Sequence, residues 1–129
     1  MTPRARWWAP VYLYAGLIFV LSSIPAPIPP VGVPFFDKWI HLVEYGVFGF
    51  LLARALASDS PKRLRENFRL WAIVFACLYG LSDEWHQLFV PMRQSSLWDA
   101  LFDTIGASIG QFFFSSRKDL DTDGHHRSV

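Results

Sequence analysis

The sequence predicts an all-α fold, a polytopic membrane protein built as a bundle of four transmembrane helices. Three observations predict this class. Hydrophobic residues make up 52% of the chain and charged residues 18%, which is fewer charges than the roughly 25% of typical globular domains. No charged residue occurs between Trp7 and Phe36. Basic residues concentrate in the N-terminus, the middle loop and the tail, which is typical of a membrane protein whose termini and middle loop are cytoplasmic.

The first predicted helix is the apolar run Ala9–Ile24, which is long enough to cross most of a bilayer core at about 1.5 Å per residue. A secretory signal peptide is the alternative, because arginines precede the run and Ala26 is a small residue suited to cleavage. Pro27 directly after Ala26 disfavours a cut there. The stretch Pro25–Pro34 is rich in proline, which lacks the N–H that a helix needs, so it predicts a stiff external loop.

Three further apolar segments, each close to the length of a membrane span, follow at Trp39–Ala57, Leu70–Leu88 and Leu97–Phe114. The uncharged part of the second of these is short enough to suit a buried helix of a soluble bundle. Ala9–Ile24 argues against a soluble bundle, because it lacks the polar stripe that a water-facing helix needs. We therefore expect a membrane domain at residues 1–116 and a disordered, polar, cytoplasmic tail at 117–129.

Polar residues at helical spacing mark the outer ends of the second, third and fourth predicted helices. Asp37, His41 and Glu44 lie at i, i+4 and i+7 and share one face, with Tyr45 at its edge. The third predicted helix carries a second polar face, formed by Tyr79, Asp83, Glu84, His86 and Gln87. The fourth carries two carboxylates in line with two glycines: Asp99, Asp103, Gly106 and Gly110. The Gly106/Gly110 spacing predicts close packing of a neighbouring helix.

The outer side holds more acids than bases, because six carboxylates face only Lys38 and Arg93. Charged groups at membrane depth are costly and face a bundle interior or a wet cavity. The excess negative charge requires protons, a histidinium, a cation or a cationic ligand group. The alternative is structural, with Lys38 and Arg93 neutralising Asp37 and Glu84 in ion pairs.

Other structural roles are open for the same residues. Ser96 and Asp99 fit a helix-capping box, which makes Asp99 the start of the fourth helix. Capping and ligand binding are compatible. His41 and Gln87 are not the only charge partners of any acid on these faces, so we expect their substitution to spare the fold.

A metal centre is a weaker alternative. His41/Glu44 and Asp83/His86 are i, i+3 pairs of the kind that bind metals inside helix bundles. Neither pair completes the Glu-x-x-His repeat on two helices, so we expect no metal and no other cofactor.

A net charge of +1 does not provide the positively charged surface that binds nucleic acid, so nucleic acid is not an expected partner. The single cysteine, Cys77, excludes an internal disulfide.

At these positions the sequence resembles the VanZ-like family of small bacterial membrane proteins, over about Leu21 to Gly110. The joint spacing of several motifs carries the resemblance. These motifs are Leu21-Ser22-Ser23-Ile24-Pro25, Asp37-Lys38-x-x-His41-x-x-x-Tyr45 with Gly49, Asp83-Glu84-x-x-Gln87, Pro91-x-Arg93, Ser96, Asp99, Gly106 and Gly110. Two positions depart from the family pattern: Asp103 stands where Asn is usual, and Met92 where Gly is often found.

The resemblance implies a phenotype rather than a reaction, because the founding member is linked to low-level resistance to the glycopeptide teicoplanin. We expect a multi-pass protein of the bacterial cytoplasmic membrane whose outward-facing cavity binds an envelope ligand. That ligand is a lipid head group, a lipid-linked cell-wall precursor or the glycopeptide itself. The expected cavity residues are Asp37, Lys38, His41, Glu44, Tyr45, Asp83, Glu84, Gln87, Arg93, Ser96, Asp99 and Asp103.

Two other function classes fit the same residues. An intramembrane hydrolase or transferase would use a carboxylate or histidine of this set as general base. A structural or assembly partner would use the polar residues only to hold helices together. Membrane lipid is the expected partner in every case, and the oligomeric state stays open.

Overall fold

The chain is all-helical in the part that the structure, a computed structural model, describes: residues 3–25 and 36–126, with side chains for 4–25 and 36–114. Five helices occur there and no strand. They are α1 (Pro3–Ser23), α2 (Phe36–Ser58), α3 (Lys62–Glu66), α4 (Phe68–Gln87) and α5 (Leu97–His126). The predicted proline-rich loop lies outside the described residues except for Pro25. The all-α prediction is confirmed.

The four long helices run alternately up and down. Contacts at their ends show this order, because Trp8 near the start of α1 donates to the backbone carbonyl of Asp59 just after α2. At the opposite end, Lys38 near the start of α2 contacts Asp99 in the first turn of α5. Helix α5 packs mainly on α2 and also on α4, whereas α1 packs on α2 and α4 and does not reach α5 in the described residues. Every predicted polar face therefore lies at one end of the bundle.

Two boundaries differ from the sequence analysis. The middle loop contains the short helix α3, which begins directly after Pro61. The fourth predicted helix is longer than expected, because the backbone of α5 continues to His126, whereas a disordered tail was expected from residue 117. No proline, which would end the helix, occurs after Leu97. Residues 127–129 lie outside the described residues.

Helix α4 buries only small and polar residues, while many large apolar residues of α4 and α5 are exposed. The buried face of α4 consists of Ala72, Ala76, Gly80, Asp83, Glu84 and Gln87. Large apolar side chains of the same helices point outward, including Leu78, Leu81, Leu101 and Ile105. A water-soluble domain places large apolar residues inside, so this arrangement suits an apolar surrounding rather than water.

Helices α2 and α5 touch backbone to backbone through glycines. A β-carbon on Gly106 would collide with the carbonyl group of Leu42, and one on Gly110 would lie 2.7 Å from the carbonyl carbon of Gly46. Gly49 is equally tight against the backbone of Ala107. The predicted small-residue contact is therefore confirmed, and the neighbouring helix is α2.

Among the described residues, one helix is both long enough and apolar enough to qualify as a membrane span, α2 with 23 residues. Length and composition therefore support one of the four predicted spans. The other three long helices carry arginines, carboxylates or tryptophans within their apolar lengths, which lowers their mean hydropathy.

Candidate functional site

A pocket of about 400 Å³ opens where α1 and α4 end and α2 begins, beside the loop between α4 and α5. Its polar wall consists of Ser22, His41, Glu44, Asp83, Gln87 and Arg93, and its apolar wall of Leu21, Ile24, Pro25 and Ile40. Gln87 Nε2 donates to Asp83 Oδ2 at 2.9 Å, so the amide holds this buried carboxylate in place. The other oxygen, Asp83 Oδ1, has no hydrogen-bond partner in the described chain.

Arg93 ties the loop to the first helix. Its Nη2 donates to the Leu21 carbonyl at 2.7 Å and its Nε to the Ile24 carbonyl at 3.1 Å. The last carbonyls of a helix have no intrahelical partner, so a guanidinium satisfies two of them at once. The structural alternative of an ion pair between Arg93 and Glu84 is not seen: the guanidinium closes the rim of the pocket instead.

A second group of charged residues lies on the other side of His41, between α2, α4 and α5. His41 Nδ1 lies 2.8 Å from Asp103 Oδ1, and both residues are buried. A β-carbon on Gly80 would lie 2.7 Å from Asp103 Oδ2. The glycine on α4 therefore makes room for the carboxylate on α5.

Lys38 joins two carboxylates of this second group. Its ammonium donates to Asp37 Oδ2 at 2.7 Å and also contacts Asp99 Oδ1. Asp37 is half exposed, whereas Asp99 is buried. The pair between Lys38 and Asp37, which the sequence left as a structural alternative, is present, and the lysine additionally connects α2 to the start of α5.

Glu84 of α4 accepts a hydrogen bond from the backbone at the start of α5. The Ser96 hydroxyl accepts from the backbone N–H of Trp98 at 3.2 Å, as an N-cap serine does. In a capping box, the Asp99 carboxylate would accept from the Ser96 N–H. Here Glu84 Oε2 accepts from it at 2.7 Å, which leaves Asp99 for Lys38. The capping-box prediction is therefore correct for the serine and wrong for the aspartate.

The structure divides the predicted single cavity into two groups that share His41. We call the first the pocket group and the second the carboxylate cluster. The pocket group is His41, Glu44, Asp83, Gln87 and Arg93, and the carboxylate cluster is Asp37, Lys38, His41, Glu84, Asp99 and Asp103 beside Ser96.

Three residues of the predicted polar faces belong to neither group. Tyr45 is fully buried, packs edge-on against Phe48 and does not line the pocket, although the charges of Asp83 and Asp103 act on it. Tyr79 donates its hydroxyl to the backbone carbonyl of Ala15 at 2.6 Å. His86 turns toward α1, where its Nε2 lies 2.9 Å from the Ser23 hydroxyl. His86 is therefore engaged with α1 and is not part of the group of possible metal ligands found among the described residues.

Sequence reasoning missed two contributors. Ser22 is a buried wall of the pocket, and its place in the Leu21–Pro25 motif was the signal for it. Gly80 shares a face with Asp83 and Gln87 at helical spacing, and this spacing was the signal for its contact with Asp103.

Met92 has a φ of 64°, a left-handed conformation that glycine adopts without strain. This explains why glycine suits that position.

Comparison with known proteins agrees with the motifs described above. No curated protein and no solved structure matches the chain. The model of the VanZ/LLP1 family matches residues 4–118, which include all five helices except Pro3 and the end of α5. The match covers both the pocket group and the carboxylate cluster, so this chain belongs to the VanZ/LLP1 family of membrane-associated proteins.

Proposed function

We propose that the chain crosses the bacterial cytoplasmic membrane four times, with both termini in the cytoplasm, and binds the head group of an envelope lipid or lipid-linked precursor in its outward-facing pocket. The observation that carries this proposal is the amphiphilic pocket, whose polar wall meets an apolar wall at the bundle end. An amphiphile satisfies both walls, because its head group contacts the polar side chains while its chain lies along the apolar ones.

The size of the pocket favours a head group over a whole antibiotic. Ligand pockets of about 300–1,000 Å³ hold drug-sized molecules, and this pocket of about 400 Å³ lies near the lower limit. A glycopeptide antibiotic is much larger than such a molecule. Teicoplanin protection would then follow from an altered envelope lipid or precursor rather than from capture of the drug.

The chemistry of the pocket favours a head group that donates hydrogen bonds. Glu44 has no hydrogen-bond partner among the described residues and lines the pocket, and one oxygen of Asp83 is free as well. Ionised carboxylates only accept hydrogen bonds, so amine or hydroxyl groups are the complementary chemistry. Arg93 at the rim adds a positive charge that suits a phosphate.

The four-span arrangement is supported by the outward-facing large apolar residues on all four long helices. Helices α1 and α4 have 21 and 20 residues, about the number needed to cross roughly 30 Å of hydrocarbon. The basic residues of the N-terminus and of α3 lie at the end opposite the pocket. Under the positive-inside rule, this distribution supports an outward-facing pocket.

Retention of lipid during purification tests the proposal. Native mass spectrometry of the protein in mild detergent should show a bound lipid or lipid-linked precursor in the wild type. Glu44→Gln should accumulate normally, because no hydrogen bond inside the described protein is lost, and should lose the ligand. Glu66→Gln makes the same chemical change on the exposed helix α3 and should retain it. Equal retention by both variants would rule out the pocket as the binding site.

An intramembrane enzyme is a second candidate, favoured by the contact between His41 and Asp103. A carboxylate that orients one ring nitrogen leaves the other free to act as a general base. If the retained lipid is turned over, incubation should release a product at a rate that His41→Gln abolishes. A bound lipid that stays intact in the wild type would exclude this candidate.

A further inference from the structure

Three side chains of the carboxylate cluster converge from three helices. One ligand-type atom each from His41, Glu84 and Asp99 lies within 4.8 Å of the others, and all three residues are buried. Ligands that share one ion with bonds of about 2.0–2.2 Å lie up to about 4 Å apart. A small side-chain adjustment therefore brings all three atoms onto one ion.

Glu84 offers a lone pair that the protein does not use. The residue is 3% exposed, and Oε2 accepts from the Ser96 N–H. The other oxygen, Oε1, is buried and has no hydrogen-bond partner in the described chain. Buried carboxylate oxygens without a partner are rare in folded proteins, so this atom indicates an interaction with something beyond these side chains.

Asp103 orients His41 as the outer carboxylate of a metal site does. Its Oδ1 lies 2.8 Å from His41 Nδ1, and the residue is 0% exposed. An ionised carboxylate only accepts, so Nδ1 keeps its proton. Loss of the proton from Nε2 on metal binding would leave that nitrogen as the ligand. Histidines that bind metals almost always donate their other N–H in this way.

The charge of the region also favours a cation. Six carboxylates of the pocket group and the carboxylate cluster face two permanent cations, which leaves an excess of four negative charges when all are ionised. Lys38 pairs with Asp37 and Asp99, while Arg93 donates to backbone carbonyls. Glu84 has neither cation as a partner, so a divalent ion would supply the missing positive charge.

We propose that His41, Glu84 and Asp99 bind one divalent transition-metal ion, with Asp103 as the positioning residue behind His41. One imidazole and two carboxylates suit Zn²⁺ and Mn²⁺, and three protein ligands leave a coordination position open. This site does not depend on the lipid proposal, because Glu44 and Gln87 of the pocket group take no part in it.

Metal titration of chelator-treated protein in detergent tests the site, with Zn²⁺ and Mn²⁺ as separate probes. Calorimetry, and metal analysis after desalting, should show about one ion per chain. Glu84→Gln should lose the ion, whereas the matched control Glu66→Gln should bind as the wild type does. Asp103→Ala should weaken binding by about 10–100-fold, as loss of an outer partner does. Asp103→Asn keeps an acceptor oxygen and should recover most of that affinity.

Two results would overturn the proposal: a wild type that binds neither ion, or equal binding by Glu84→Gln and Glu66→Gln. Should Glu84→Gln fail to accumulate, the two Asp103 variants decide the question. A metal affinity unchanged by Asp103→Ala would then contradict the site, and weakening that Asp103→Asn reverses would support it. Because Glu44→Gln leaves all three ligands in place, it should bind metal while losing lipid, which separates the two proposals.

Discussion

His41 has more to do with stability than the sequence analysis expected. Its contact with Asp103 spans 62 positions and is buried, so, in contrast to the prediction from the sequence, we expect replacement of His41 to cost stability. Gln87 is likewise the hydrogen-bond partner of Asp83, within one helix. Loss of His41 should therefore cost more stability than loss of Gln87, because a protonated histidine can neutralise its partner carboxylate and a neutral amide cannot.

We expect His41→Ala to destabilise the protein, because it leaves the buried carboxylate of Asp103 without a partner, a loss of about 3–5 kcal/mol in soluble proteins. Asp103→Ala together with His41→Ala should cost less than the sum of the two single changes. The coupling should exceed about 0.5 kcal/mol, as it does for residues in contact. Thermal unfolding in detergent with a chelator present measures the wild type and the three variants, and strict additivity would show that the two residues do not interact.

The contact between α2 and α5 depends on the absence of side chains. Gly46, Gly49, Gly106 and Gly110 allow the two backbones to approach one another, which also brings Lys38 and His41 of α2 to the acids of α5. In an apolar solvent, packing of this kind replaces the hydrophobic effect as the force between helices. The same glycines therefore position the carboxylate cluster.

Gly106→Leu should strongly lower stability and accumulation, because any β-carbon there collides with the Leu42 carbonyl and forces α5 away from α2. Gly16 on α1 is the matched control, since a β-carbon at that position meets nothing within 4 Å. Gly16→Leu should be tolerated. Melting temperatures in detergent and expression levels check both, and equal behaviour of the two variants would refute the role given to the glycine contact.

The whole molecule has two unlike ends. One end holds the pocket group and the carboxylate cluster. The other holds the basic residues of the N-terminus and α3, where Asp59 contacts Arg4 and Trp8. Large apolar side chains cover the surface in between. A membrane protein obeying the positive-inside rule would place the basic end in the cytoplasm.

Cysteine labelling tests this orientation in a Cys77→Ala background. Gln94→Cys lies in the exposed loop between α4 and α5, and Glu66→Cys lies on the exposed helix α3. An impermeant maleimide should label the first in intact cells and the second only after permeabilisation. The reverse pattern would put the pocket in the cytoplasm, and labelling of both in intact cells would contradict four spans.

The positions of the long helices and the clustering of polar residues toward one end follow from the sequence alone. Periodicity indicates which residues share a face, and that information is local to each helix. The Leu21–Gly110 motifs likewise indicate the family, and its match to residues 4–118 confirms it.

Only the tertiary structure decided which partner each polar residue has. Lys38 and Asp99 are 61 positions apart, and their meeting depends on how α2 and α5 rotate and approach through their glycines. A helical period gives no information on that rotation, because it is set by packing between helices. For the same reason, Glu84 rather than Asp99 accepts from the Ser96 N–H: the choice between two carboxylates depends on the neighbouring helix, which no local motif contains.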